Sequence, residues 1–145
     1  MKIVVAIDGA DSAKSALAEL VAKKYSSDTE IHLVHVIVPG FANVSTPGLP
    51  DSDAIEVAEE IQILEKLAAD LKGALNITAS AEILRGEVAQ VIADACKQHA
   101  ADEALVPSHA RHGFARLWFG SIADEIVDAA PCTVVVLKMP ESKKA

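Results

Sequence analysis

Apolar positions along this chain switch repeatedly between two spacings. Residues 2–7, KIVVAI, form a continuous apolar run ending at Asp8-Gly9, which predicts a strand buried on both faces. From Ser12 to about Lys24 the apolar residues recur every three or four positions, which predicts an amphipathic helix. The alternation continues to the end of the chain: it predicts strands at 30–38, 76–84, 103–106 and 133–138, and helices at 53–72, 86–99 and 121–130.

The second predicted helix covers residues 53–72 and can be capped by Asp51 or Ser52. Gly73 stands where a helix would end. Three acids, Glu59, Glu60 and Glu65, fall outside the apolar stripe, which predicts a solvated outer face rather than an acid–base pair. The stripe itself consists of Val57, Ile61, Leu64, Ala68 and Leu71.

Strands that alternate with helices predict a parallel sheet with right-handed crossovers and helices on both faces. We expect one domain over residues 1–140, with a flexible tail at 141–145. The strict alternation of the third strand predicts a wetter face or a sheet edge. In such sheets ligands bind beyond the carboxyl ends of the strands, where the strand order reverses. Asp8-Gly9 and the segment from Pro107 onward should meet there.

Composition narrows the classes of function. The 145 residues are 51% hydrophobic and carry a formal net charge of −8, which argues against nucleic-acid partners and anionic membranes. No apolar run approaches the ~20 residues of a membrane span, and the first residues do not form a secretory signal. We therefore expect a soluble, cytoplasmic protein in which Cys96 and Cys132 are reduced core thiols.

One segment departs from the acidic balance. Residues 104–123 contain no acid and include Arg111 and His109, and they lead to Gly120-Ser121 at the start of a helix. A helix start offers unpaired N–H groups and a partial positive charge, so it can bind a phosphate. An ordinary capped helix after a solvated loop explains the same residues, and both interpretations remain open at this point.

Four stretches together resemble the universal stress protein (UspA-like) family. They are IVVAIDGADSAKSAL, HLVHVIV, RGEVAQVIADACKQHAAD and WFGSIADEIVDAAPCTVVVLK, and the resemblance covers nearly the whole chain. It implies a three-layer, doubly wound α/β sandwich, adenine-nucleotide alpha-hydrolase-like, with a five-stranded parallel sheet in the order 3-2-1-4-5. It also implies a homodimer through strand 133–138, whose apolar edge invites pairing with another chain.

Nucleotide-binding members of that family carry Gly-x2-Gly-x9-Gly-[Ser/Thr] after the fourth strand. This sequence keeps Gly120-Ser121 but has Pro107 and Ala110 at the first two glycine positions. Proline has no N–H to donate, and alanine adds a methyl group where bare backbone is expected. Both changes disfavour a nucleotide.

The same resemblance implies ATP as the candidate nucleotide, and magnesium is expected only if ATP binds. The residues implied to line the adenosine, ribose and phosphate are Ile7, Asp8, Val36, His109, Gly120, Ser121 and Ile122.

No catalytic or metal-binding motif stands out. His32 and His35 lie three apart on a strand, so they should point to opposite faces and cannot share a metal. His109 and His112 have no carboxylate or thiol beside them, and we expect no metal site. The chain lacks phosphate-loop, GxSxG and HExxH motifs, so we expect no dedicated enzyme, although slow ATP hydrolysis would need none of them.

Three functions follow as hypotheses. The first is a stress-response module that acts mainly through its dimer surface and unidentified protein partners, because its glycine motif is degenerate. The second is an ATP-binding sensor. The third is a binder of a small anion or metabolite at Arg111, His109 and the helix start. Pro107 and Ala110 favour the first, whereas Gly120-Ser121 favours the other two.

Overall fold

The computed structural model describes residues 1–38, 52–108 and 120–138. Strands and helices alternate through these ranges, as the hydrophobic spacing predicts. The elements in chain order are β1 Lys2–Ala6, α1 Ala10–Lys23, β2 Glu30–Ile37, α2 Ser52–Leu75, β3 Ala79–Arg85, α3 Val88–Gln98, β4 Glu103–Pro107, α4 Gly120–Ala129 and β5 Thr133–Leu137.

The strands form one parallel sheet in the order β3-β2-β1-β4-β5. This confirms the predicted α/β class and the order 3-2-1-4-5. β1 lies at the centre, and its residues 3–7 are at most 2% exposed because helices cover both faces. β3 and β5 are the two edges, which agrees with the polar alternation in β3.

Two apolar cores lie on opposite faces of the sheet, since neighbouring strand residues point alternately to each side. The first core joins Ile3, Val5 and Ile7 of the first strand segment to Leu33 and to residues of α1 and α2. The second joins strand residues to α3 and α4: it contains Val4, Ala6, Val34, Val36, Ile92, Cys96 and Ile126, with Ile122 and Cys132 packed against it. Cys96 is buried, as expected, whereas Cys132 is only half-buried.

The predicted end of α2 at Gly73 is wrong. The helix continues to Leu75, because Leu75 packs against the first core and extends the buried stripe by one turn. Its end is set by Asn76, which adopts a left-handed backbone with φ of 56° and donates its N–H to the carbonyl oxygen of Lys72. Asparagine tolerates this conformation better than most residues, so it can replace glycine there.

Several sequence predictions fall on positions that the structure does not describe. They concern the segment 39–51, His109 to Phe119 with Ala110, Arg111 and His112, and the tail from 139 onward. Among the helices that are described, none is both long and apolar enough to cross a membrane.

Candidate functional site

The candidate site lies at the carboxyl ends of β1 and β4, in the middle of the sheet. β1 pairs with β2 on one side and with β4 on the other, so the order of strands reverses between β1 and β4. Ile7 and Asp8 follow β1, Pro107 ends β4, and Gly120-Ser121 begins α4. The predicted convergence of the first and fourth strand ends is therefore present.

The apolar residues assigned to the site lie on two sides of the sheet. Val36 is 5% exposed and belongs to the second core, where Ile122 packs against the same cluster. Ile7 is fully buried in the first core, under α1 and α2. Thus Val36 and Ile122 belong to the same core, whereas the side chain of Ile7 lies on the opposite face of the sheet.

The loop positions of the motif are only partly described. Pro107 is buried and pairs with Leu137 in the ladder between β4 and β5. The backbone of Gly120 and Ser121 forms the first turn of α4, and the first turn of a helix is a position that favours an anion. His109 and Ala110 lie outside the described residues, as does the side chain of Ser121.

A polar cluster surrounds Asp8 under α2. His35 of β2 is 1% exposed, and its two ring nitrogens face different partners. Nε2 lies 2.7 Å from Oε2 of Glu56, while Nδ1 lies 2.9 Å from the carbonyl oxygen of Ile7 and 3.2 Å from Oε1 of Glu60. The carboxylate of Asp8 approaches the same nitrogen, with Oδ1 at 4.0 Å. One imidazole therefore connects β1, β2 and α2.

Backbone contacts at the start of α1 hold these carboxylates in place. Oε1 of Glu60 accepts a hydrogen bond of 2.7 Å from the N–H of Gly9, and Glu60 is 0% exposed. The hydroxyl of Ser12 accepts the N–H of Asp8 at 2.7 Å and donates to the carbonyl oxygen of Gly9 at 3.0 Å. Charge-assisted bonds of this length are strong in a low-dielectric interior, so the cluster fixes the end of β1.

The predicted solvated position of Glu60 is wrong. The buried stripe of α2 runs through Glu60, Leu64, Leu67 and Leu71, whereas Ile61 is 40% exposed. The buried face thus shares Leu64 and Leu71 with the predicted stripe but includes Glu60 and Leu67 in place of Ile61. Glu60 occupies a core position because His35 and the Gly9 N–H supply partners there.

Sequence reasoning also missed His35 and Glu56. The prediction that His32 and His35 face opposite sides is confirmed: Nδ1 of His32 contacts the hydroxyl of Ser80 at 2.6 Å, far from the cluster. A histidine and a carboxylate at core positions of an apolar strand and helix are the available sequence signal. This signal identifies the pair only once β2 and α2 are known to pack together.

The cluster offers a donor set for a cation. Asp8, His35 and Glu60 each contribute one ligand atom, and these atoms all lie within 4.8 Å of one another. All three residues are buried. An imidazole nitrogen combined with carboxylate oxygens is a donor set found at zinc and manganese sites. In the absence of an ion, the same atoms form an ion-paired hydrogen-bond network.

This chain is similar in sequence and in fold to known universal stress proteins. A universal stress protein of Methanocaldococcus jannaschii is 24% identical over 143 residues, covering 98% of this chain and 84% of that protein. The structure of the universal stress protein UspA from Lactobacillus plantarum superposes with a TM-score of 0.73 at 23% identity, covering 95% of this chain and 97% of that one.

A further solved structure carries a ligand. It is a universal stress protein family protein from Arabidopsis thaliana with AMP bound, and it has a TM-score of 0.68 and 22% identity. The match covers 97% of this chain and 93% of that one. The model of the universal stress protein family itself matches residues 1–138. Since that match spans nearly the whole chain, the protein belongs to the universal stress protein family.

Proposed function

We propose that this chain is a stress-response protein that acts through a homodimer and protein partners rather than through a bound nucleotide. The observation that carries the proposal is the position of Asp8. This carboxylate, implied by the family resemblance to line the adenosine pocket, is 5% exposed and faces His35 and Glu60. Turning it toward a ligand would separate it from His35 and uncover buried charge, which costs free energy.

Pro107 supports the same conclusion. It has no N–H to offer a phosphate, and its ring fixes φ near about −65°. It is also buried and paired with Leu137, so the strand end has little freedom to adjust to a ligand. A ligand at this edge of the sheet would lose one of the backbone donors that the glycine motif provides.

The dimer surface in this proposal is the edge of β5. The strand has no neighbour beyond it within the described sheet, and Val136 is 42% exposed. An apolar edge strand presents backbone N–H and C=O groups that can pair with a second chain. A second copy would also cover Val136, which removes apolar surface from water.

Charge at this edge should separate the subunits. Val136→Lys places an ammonium group where the partner strand would lie, so we expect the sedimentation mass to fall from that of a dimer to that of a monomer. Val127→Lys is the matched control, since Val127 is 49% exposed on α4. A dimer that persists in Val136→Lys, or a wild-type monomer, would contradict pairing through β5.

An adenine-nucleotide sensor is the second candidate. The AMP bound to the Arabidopsis relative favours it, as does the apolar contact region that Val36 and Ile122 share near the first turn of α4. Such a pocket could take the adenine against aliphatic side chains and the phosphate at Gly120-Ser121. ATP would be the ligand of this candidate, and magnesium would accompany it on the phosphates.

Calorimetry separates the two candidates. We expect purified protein to retain no nucleotide, and to give no binding heat with ATP or AMP up to millimolar concentration, with or without magnesium. Micromolar binding that Gly120→Val abolishes and Gly73→Ala leaves intact would establish the sensor instead. The proposal also assigns no catalysis: phosphate release from ATP should not exceed that of a buffer blank.

A further inference from the structure

The two ring nitrogens of His35 both face oxygen atoms that act as acceptors. The carboxylate of Glu56 lies at Nε2, and the Ile7 carbonyl and the Glu60 carboxylate lie at Nδ1. A neutral imidazole carries only one N–H, so one of its nitrogens would direct a lone pair at an acceptor lone pair. The arrangement therefore needs a proton or a metal cation between the ring and one of these oxygen atoms.

The surroundings of Nδ1 favour a metal cation. Three oxygen atoms approach it from two parts of the chain, the end of the first strand and α2, at 2.9 Å for Ile7 O, 3.2 Å for Glu60 Oε1 and 4.0 Å for Asp8 Oδ1. A single proton can bond strongly to one of them. An ion with bonds of ~2.1 Å holds its ligands ~3.4 Å apart in a tetrahedral arrangement, which is the range of these separations.

The contacts around the donors are those that orient metal ligands. With the Nε2 proton of His35 donated to Glu56, the ring is fixed and the Nδ1 lone pair is left for the ion, as in carboxylate–histidine pairs at zinc sites. Gly9 donates to Glu60, and Ser12 fixes the backbone that carries Asp8. His35 and Glu60 therefore each have a second contact that holds them in place, and little rearrangement of these two side chains is needed on binding.

We propose that Asp8, His35 and Glu60, with the carbonyl oxygen of Ile7, form a binding site for one divalent transition-metal ion. One nitrogen and two or three oxygens suit Zn²⁺ or Mn²⁺ better than Mg²⁺, which prefers oxygen donors and retains several waters. The site is enclosed by the sheet and α2, and its three side chains are at most 5% exposed. It is separate from the crevice at Gly120-Ser121 and needs no nucleotide.

Metal uptake by the full-length protein tests this proposal. Protein stripped with a chelator is dialysed against Zn²⁺ or Mn²⁺ and then against metal-free buffer, and the bound metal is measured by elemental analysis. We expect one ion per chain and a rise of several degrees in the melting temperature, since the folded state alone binds the ion. Co²⁺ should give an absorption spectrum typical of mixed nitrogen and oxygen ligation.

Variants locate the ion. His35→Gln and Glu60→Gln should each weaken binding by at least about 10-fold, and Glu56→Gln by about 10-fold through the orientation of the ring. His32→Gln is the matched control, because His32 lies on the other face of β2 and should leave affinity unchanged. Circular dichroism verifies folding, and Glu56→Gln keeps the test valid if a buried variant fails to fold.

Two results would overturn the proposal. Uptake of well below one ion per chain, with no change in melting temperature, would mean that the cluster is a hydrogen-bond network only. Binding that His32→Gln removes and His35→Gln does not would place the ion on the surface pair of His32 and His99, whose rings stack at 3.8 Å. Neither result bears on the dimer.

Discussion

Replacing glycine by alanine at Gly73 and at Gly86 should change the free energy of unfolding in opposite directions. Gly73 lies within α2, and a Cβ added there has no atom within 4 Å. Gly86 follows β3 with φ of +142°, and a Cβ there would lie 2.7 Å from Cγ2 of Val91. The chemical change is identical at the two positions, so the difference between the two free energies of unfolding depends only on the backbone conformation and the surroundings of each glycine.

The magnitudes follow from these environments. Alanine restricts the unfolded chain and favours helix, so Gly73→Ala should stabilise the protein by roughly 0.5–1 kcal/mol. At Gly86 an alanine would be forced into backbone that L-residues avoid, which costs about 1–3 kcal/mol. Moving the side chain of Val91 adds about 1 kcal/mol or more. We therefore expect Gly86→Ala to destabilise the protein by about 2–4 kcal/mol.

Urea and thermal unfolding followed by circular dichroism measure both variants. At about 2–4 °C per kcal/mol for a chain of this size, the two melting temperatures should differ by roughly 10 °C. The sequence pattern predicts instead that α2 ends at Gly73, where alanine would oppose a left-handed backbone. A lower melting temperature for Gly73→Ala would refute the reasoning, as would a Gly86→Ala variant as stable as wild type.

Three further predictions concern buried or perturbed groups. Glu60→Ala should lower the free energy of unfolding by about 3–5 kcal/mol in urea titrations, since it leaves buried charge unpaired, whereas the exposed Glu59→Ala should change it by less than about 0.5 kcal/mol. Burial, with the neighbouring Cys132, raises the pKa of the Cys96 thiol to about 12. Iodoacetamide should therefore label the half-buried Cys132 but not the buried Cys96 in native protein, and mass spectrometry of the peptides measures the extent of labelling at each cysteine. Desolvation and the nearby His99 lower the pKa of His32 below its ordinary 6.5. The unfolded chain then binds a proton more readily than the folded chain, so the free energy of unfolding should fall as the pH drops through 6.5. His32→Gln should reduce that fall between about pH 7.5 and 5.5. An equal acid sensitivity in wild type and His32→Gln would contradict the last of these.

β1 and β5 could be predicted from the sequence because they are short apolar runs with clear boundaries. Lys2–Ala6 is apolar beyond its first residue and ends just before Asp8-Gly9, and Thr133–Leu137 follows a proline, so local pattern alone identifies both. The strand order came with the resemblance to the family and agrees with the structure. The switch point between the first and fourth strands then follows from topology.

The polar cluster could not be predicted in the same way. In α2 apolar residues occur around the whole helix, and Ile55 and Ile61 are 44% and 40% exposed, so hydrophobic spacing does not identify the buried face. Glu60 is stabilised inside by a Gly9 N–H that lies 51 residues away in the chain and by His35. Such partners are long-range, and a local pattern treats a lone glutamate as solvated.

Asp8 links the polar cluster on one side of the sheet to the crevice on the other side. Asp8 stands at the end of the central strand, between the polar cluster under α2 and the crevice at α4. Oδ1 of its carboxylate lies 4.0 Å from Nδ1 of His35, and a ligand that drew Asp8 into the crevice would weaken this contact. An ion bound at the cluster would hold Asp8 away from the crevice. The proposal of a nucleotide-free function rests on this position of Asp8 and on Pro107 and Ala110, which stand at two glycine positions of the family motif.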